Sequence, residues 1–297
     1  MDSQYLDFKQ VLNACSSLSL RLYKNCPVGC SHCCISATPG KPIYTCDYEE
    51  CIELISEIAK LSSLQRVTFT GPEIVLNDQL MVSLGNYIAL SLGLPVGVLT
   101  SGFWATSDVT IQKYITYLRE ASISIVQVSF DTYHPLSTKV KIEDLISLLM
   151  KEGFYVSVLE TIEVNETPRW PKIDIMSDNY EYQYVALVGR HQINFDPCNT
   201  INDIPKIGCD FGTRIYVEND RNIYLCSGPG CKVEKRSVGR VSSDGRVIWN
   251  HESWPRLKAL YPSQGPQHYF ENNMSLIKAI PKSGNPCTAC WRYFSLQ

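Results

Sequence analysis

Between Leu18 and Arg190 the chain alternates apolar runs of strand length with helical patterns, and this rhythm limits the fold more than any other feature. Runs at Leu18 to Leu22, Arg66 to Thr70, Pro95 to Thr100, Ser124 to Phe130, Phe154 to Glu160 and Tyr182 to Val188 read as strands. Helices fall between them. Asp47, with Glu50 three residues on, caps a helix running to about Leu61. Further helical patterns cover Asp78 to Leu92, Ser107 to Arg119 and Lys141 to Glu152, the last stopped by Gly153. Strands separated by helices pair in parallel through right-handed crossovers. Six such strands predict an α/β fold, a partial (β/α)6 TIM barrel over residues 1–197.

In parallel α/β architectures the site lies at the C-terminal ends of the strands, and the unusual segments of this sequence fall there. A cysteine-rich loop follows the first strand, "TGPE" (Thr70 to Glu73) the second and "TSGFW" (Thr100 to Trp104) the third. The fourth runs into "SFDTYH" (Ser129 to His134) and the sixth into "VGRH" (Val188 to His191). All five are expected to ring one mouth.

Composition excludes several partners. A length of 297 residues with 44% hydrophobic content is enough for a substantial core. The formal net charge of -3 gives no basic footprint, so nucleic acid is not an expected partner. Met1 to Cys15 carries Asp2, Asp7 and Lys9 and lacks the apolar stretch of a signal peptide. Gln79 to Ser107 has no charged residue, but Asn86, Gly93, Pro95 and Gly97 interrupt it; a helix followed by a buried strand is expected, and no membrane span. The expected location is cytoplasmic. In that reducing compartment the 13 cysteines point to metal ligands or redox groups rather than disulfides.

The densest group is "YKNCPVGCSHCC", Tyr23 to Cys34. Within it Cys26, Cys30 and Cys33 are spaced C-x3-C-x2-C. Three thiolates on one short loop hold three irons of a [4Fe-4S] cube and leave the fourth iron open to a small molecule. A zinc site is the alternative, with His32 or Cys34 as the fourth ligand. Cys34 otherwise reads as a packing thiol. The spacing, its place after the first strand and the downstream segments together resemble the radical S-adenosylmethionine (SAM) superfamily from Leu18 to the C-terminus.

That resemblance implies an open iron that chelates the methionine moiety of SAM, and reductive cleavage to a 5'-deoxyadenosyl radical that abstracts hydrogen from an unactivated carbon. "TGPE" resembles the family's Gly-Gly-Glu segment, so Thr70, Gly71, Pro72 and Glu73 are expected to meet the methionine amino group. Pro72 replaces a glycine there and removes one backbone N–H. Ser129 and Asp131 resemble fourth-strand residues that bind ribose hydroxyls or substrate. Arg190 resembles the arginine of a sixth-strand Gly-Arg pair that meets a carboxylate. For Asp131 and Arg190 the plainer reading is a solvated or ion-paired group.

After Cys198 the βα rhythm stops, and residues 198–297 are expected to form a second, smaller domain. Arg214 to Val217 and Asn222 to Cys226 read as a hairpin with Cys209 before it and Cys226 at its end. A spacer of helical character then leads to "CTAC", Cys287 and Cys290. This order resembles the twitch domain, a shortened SPASM extension. The resemblance implies a second [4Fe-4S] cluster, fully ligated by Cys209, Cys226, Cys287 and Cys290. A zinc ribbon has the same spacing.

"CSHCCISATP", "FTGPE", "TSGFWA", "SFDTYHP" and "IYLCSG" together resemble the radical epimerases of ribosomal peptides of the epipeptide type, and twitch enzymes acting on aminoglycosides use similar logic. In that peptide family a second cysteine follows the hairpin ligand and donates hydrogen. Here the position is Ser227, whose O–H bond is too strong for the task. Cys231, turned back by Gly228, Pro229 and Gly230, is the candidate donor; an extra cluster ligand or a bystander is its other reading. The expected reaction is epimerisation of a centre in a peptide or aminosugar natural product. A net oxidation, by dehydrogenation or crosslinking with the auxiliary cluster accepting the electron, is the alternative. Either needs an external one-electron reductant such as a flavodoxin or ferredoxin. Only 17 residues precede the first strand, so no N-terminal winged-helix module for gripping a leader is expected. Phe103, Trp104, Tyr133 and Trp291 read as pocket aromatics or as core.

Overall fold

The computed structural model of the protein describes residues 8–33, 37–41, 43–73, 78–131, 133–134, 141–162, 167, 179–184, 213–226 and 237–251. Six parallel strands run β1 (Ser17–Leu20), β4 (Arg66–Phe69), β5 (Val96–Thr100), β6 (Ile123–Phe130), β7 (Tyr155–Ile162) and β8 (Asn179–Tyr184), neighbours in that order. Two short strands, β2 (Asn25–Cys26) and β3 (Thr38–Pro39), pair with each other inside the cysteine loop. Helices α1 (Phe8–Ala14), α2 (Tyr48–Leu61), α3 (Gln79–Asn86), α4 (Asp108–Glu120) and α5 (Ile142–Lys151) complete this part.

Register and burial show why the sheet has two unlike faces. Leu18, Leu20, Val67, Phe69, Val96, Val98, Val126, Val128, Val156 and Val158 alternate along the strands and are all at most 3% exposed. They meet the apolar stripes of the helices: Leu54, Ile55 and Ile58 of α2, Ile111, Ile115 and Leu118 of α4, Leu145 and Leu149 of α5. The intervening positions mix polar and small residues with Leu99, Ile125 and Leu159. Ser17 and Ser19 lie beside Arg66 and Thr68, Thr68 beside Gly97, and Gln127 beside Ser157, whose hydroxyl accepts from the Gln127 amide at 3.5 Å.

The cap expected at Asp47 forms, and the helices expected from Asp78 and Ser107 prove to be capped by those residues. Asp47 accepts from the Glu50 amide while the Glu50 carboxylate accepts from the Asp47 amide, both at 2.9 Å. Asp78 and Ser107 cap α3 and α4, and Gly153 ends α5 with a φ of +84°. Boundaries differ elsewhere. The helix expected over Asp78 to Leu92 divides into α3 and a π-helical turn, Tyr87–Ser91, closed by the Leu92 amide on the Tyr87 carbonyl at 3.3 Å. That wider turn lets the Leu94 amide reach Ile88 at 3.2 Å and swings the chain into β5. The first strand stops at Leu20, and the sixth starts at Asn179, ahead of the expected Tyr182.

The C-terminal hairpin forms, β9 (Arg214–Val217) and β10 (Asn222–Tyr224), but it does not stand apart from the barrel sheet. β9 pairs in parallel with β1, Leu18 opposite Ile215 and Leu20 opposite Val217. Without it β1 would be an open edge with buried side chains, which sheets avoid. Part of the expected helical spacer is instead antiparallel, β11 (Gly239–Val241) and β12 (Val247–Trp249). The result is one ten-stranded sheet, β12-β11-β10-β9-β1-β4-β5-β6-β7-β8.

Candidate active site

The cysteine loop leaves β1 at the expected end of the sheet and is tied down at several points. Gly29 takes a φ of +70°, and the Cys33 amide reaches the Cys30 carbonyl at 3.4 Å, closing the turn that carries two of the three thiols. The Ser31 amide donates to the Tyr133 carbonyl at 3.3 Å, which joins the loop to the segment after β6. Backbone amides also support the sulfurs. Glu73 N–H donates to Cys26 Sγ and Ala37 N–H to Cys33 Sγ, each at 3.4 Å.

The setting of this loop disfavours a bare thiolate at Cys30. Burial pushes the Cys30 thiol far up, and Cys26, Cys33, Asp131 and Glu73 add repulsion. A metal centre relieves that repulsion and keeps the ligands as thiolates. A zinc ion needs all its sulfurs about 2.3 Å from one point. Among the described residues the side chains whose ligand atoms gather within 4.8 Å are His32, Asp131 and His134, and not the three cysteines.

"TGPE" sits at the end of β4. Gly71 has a φ of +97°, and a Cβ there would lie 2.6 Å from the Arg21 stem, so only glycine admits the arginine. Arg21 in turn forms a buried ion pair with Glu218 just past β9. The Glu73 carboxylate is buried and accepts from the Ser101 amide and hydroxyl, both at 2.6 Å, and from the Thr100 hydroxyl. Burial raises its pKa against the pull of those donors. Its side chain therefore binds the ends of β4 and β5 together. Its amide, one position after Pro72, supplies an N–H to the cluster loop.

"SFDTYH" places Ser129, half-buried, on the inner face of β6 and Asp131 just beyond it. Asp131 accepts from the Tyr133 amide and from His134 Nδ1, both at 2.9 Å, and its second oxygen lies 3.7 Å from His32 Nε2. Burial works to raise this carboxyl, yet the His134 hydrogen bond and charge, with the charge of His32, hold it below its ordinary value. A carboxylate between two imidazoles was not read from the sequence. The D-x-x-H spacing of "SFDTYH" carried half the signal; His32 was weighed only as a zinc ligand, and here it faces Asp131.

The aromatic residues divide. Trp104 is buried, stacks on Tyr114 and donates to Thr100 at 3.3 Å, which makes it core. Phe103 packs partly against the same core, while Tyr133 lies beside the His32 ring. Cys226 is 7% exposed directly after β10. Arg190, Cys209, Cys231, Cys287, Cys290, Cys34 and Trp291 lie outside the described residues.

Residues 20–164, which begin in β1 and pass through the cysteine loop to the end of β7, match the model of the Radical SAM superfamily. The chain carries a radical SAM domain. The family implies a [4Fe-4S] cluster and SAM, and Cys26, Cys30 and Cys33 lie within the matched residues as free thiols. The chain is 28% identical over 118 residues to the "Putative peptide biosynthesis protein YydG" of Bacillus subtilis (strain 168), a match spanning 40% of this chain and 36% of that protein. Just over a third of that relative's length is thus represented. Two solved structures share the fold. One is Streptococcus suis SuiB bound to precursor peptide SuiA, at a TM-score of 0.52 and 8% identity over 82% of this chain and 67% of that one. The other is native anSMEcpe with bound AdoMet and Cp18Cys peptide, at 0.53 and 14% identity over 86% and 81%. Outside the radical SAM domain as well, among the described residues, no helix is long and apolar enough to cross a membrane.

Proposed function

We propose that this protein is a radical SAM enzyme that inverts one carbon centre in a peptide. A [4Fe-4S] cluster with SAM supplies, when bound, reductive generation of a 5'-deoxyadenosyl radical that takes hydrogen from an unactivated carbon. Cys26, Cys30 and Cys33 hold three irons, with amides of Glu73 and Ala37 bonded to two of the sulfurs. Because the Glu73 carboxylate is engaged by Thr100 and Ser101, the backbone of Thr70 to Glu73 is left to receive the methionine amino group. Ser129 and Asp131 take ribose hydroxyls or substrate from the inner face of the sheet, and Arg190 takes a carboxylate.

In this reading Cys231 returns a hydrogen atom to the face opposite the abstraction, which inverts the centre. The thiyl left on Cys231 regains one electron and one proton. An external flavodoxin or ferredoxin supplies the electron, and Cys209, Cys226, Cys287 and Cys290, within a C-terminal module of residues 198–297, would hold an auxiliary [4Fe-4S] cluster able to relay electrons. Peptide is preferred over aminosugar because of the relative's name and the peptides bound in the two structures of like fold. The observation that carries the proposal is the three-thiol loop at the strand ends.

The test is the mass change of candidate peptides in D2O with anaerobically reconstituted enzyme, SAM and reductant. A gain of one deuteron, lost in Cys231→Ala, is expected. A loss of two hydrogens that persists in Cys231→Ala would overturn epimerisation and make the enzyme an oxidase-type crosslinker or dehydrogenase.

A further inference from the structure

Cys46 and Cys51 belong to neither proposed cluster, yet their sulfurs lie 2.9 Å apart. Their positions explain the contact. Asp47 is the N-cap of α2, so Cys46 immediately precedes the cap and Cys51 is the fourth helical residue. Those are the two positions that meet as a hydrophobic staple beside a capping box, and the Asp47–Glu50 box is present here. The staple is made of two thiols. We propose that Cys46 and Cys51 are a reversible oxidation site, closing to a disulfide that makes the staple of α2 covalent.

The surroundings suit thiol–disulfide exchange. Cys46 is half-buried and Cys51 is fully buried, so one sulfur is open to a reagent and the other only to its partner. The Cys51 hydrogen bond, helped by Thr45 and by the charge of Arg221, holds the Cys46 thiol below its ordinary value, while that same contact and burial push Cys51 up. Cys46 is therefore the attacking thiolate. Its attack on a low-molecular-weight disulfide forms a mixed disulfide and releases one thiolate; Cys51, losing its proton, then displaces the second thiol. The two protein thiols are oxidised, the small disulfide is reduced to two thiols, and no other electron acceptor is needed.

The pair also lies where oxidation would be felt. Arg221, from the turn between β9 and β10, donates to the Thr45 carbonyl at 3.0 Å and to the Ser242 carbonyl at 3.3 Å, and pairs with Glu50 at 2.5 Å. Gly245 of the β11–β12 turn sits so close to α2 that a Cβ would lie 2.6 Å from the Glu50 carbonyl. The thiols thus stand at the seam between the first helix after the cysteine loop and the C-terminal strands. A covalent staple there stiffens both.

The protein, prepared anaerobically with its metal, is treated with excess oxidised glutathione, then unfolded and trapped with N-ethylmaleimide in denaturant, and mapped by tandem mass spectrometry. The expected result is a Cys46–Cys51 link, with complete loss of maleimide labelling at both residues and its return after dithiothreitol. Full labelling at both positions, or a link from either one to another cysteine, would overturn the proposal. Cys46→Ala, chosen because the site is half-buried and outside the proposed cluster ligands, is expected to leave Cys51 unlinked and metal content unchanged. A glutathione-sized adduct persisting on Cys51 in that variant would overturn the assignment of Cys46 as the attacking thiol.

Discussion

The six-stranded parallel sheet and the C-terminal strands β9 to β12 share one hydrogen-bonded sheet but are built by different rules. The parallel strands have apolar faces covered by helices, and each helix returns the chain so that successive strand ends meet at one mouth. The C-terminal strands are three or four residues long and pair antiparallel beyond β9, and in β11 buried Gly239 and Val241 flank exposed Arg240. Only β9 follows the parallel rule. It completes the β1 edge and sets Glu218 against Arg21, which in turn fills the space left by Gly71 of the "TGPE" segment. The difference teaches that chemistry is concentrated where connections are long and parallel, while the antiparallel part acts on the site through one seam.

Four substitutions break or sharpen that contrast. Cys30→Ala has the largest expected effect: loss of SAM cleavage and of the visible absorbance of the first cluster, with the C-terminal strands unaffected. Iron analysis then separates the two parts, since loss of one of two cubes lowers iron from about eight to about four per chain. An unchanged iron content would show that the cysteine loop is not a ligand set. At the seam, Glu218→Ala leaves Arg21 buried without its partner and is expected to cost about 3–5 kcal/mol in urea unfolding. The double change Arg21→Met with Glu218→Leu should recover most of that loss, and failure to do so would mean that the pair holds more than itself.

Within the helical layer, Gly85→Ala drives a Cβ to 2.0 Å from the Ala121 carbonyl. An expected loss of about 3 kcal/mol follows from overpacking against backbone. Asp131→Asn should cost about 1–2 kcal/mol at neutral pH through the weakened His134 bond. Because the folded carboxyl lies below its ordinary value of 3.8, its contribution is present above that pH and fades as pH falls through the lower folded value. The gap between wild type and variant should therefore close below pH 3.8. A gap independent of pH would place the cost in packing rather than in charge.

Much of this was readable in advance because it is local. Capping at Asp47, the helix starts at Asp78 and Ser107, the stop at Gly153 and the valine-rich strands each depend on a few neighbouring residues. So does the C-x3-C-x2-C spacing, since ligands on one short loop must converge. What eluded the sequence depends on residues far apart. Trp104 turned out to be core because Tyr114, on the next helix, stacks on it. The π-helical turn at Tyr87–Ser91 and the β11–β12 pair are packing choices made against α4 and α2, and no periodicity records them.

By itself, then, the sequence determined the βα alternation and the C-x3-C-x2-C spacing of the loop after β1, because backbone periodicity and residue spacing are properties of contiguous residues. Tertiary structure alone decided that β9 joins β1, that Glu218 meets Arg21 across 197 residues of chain, and that Asp131 lies between His32 and His134. Each of those pairings is set by which buried surfaces must be covered and which buried charges must be neutralised, and such demands arise only when the chain has closed on itself.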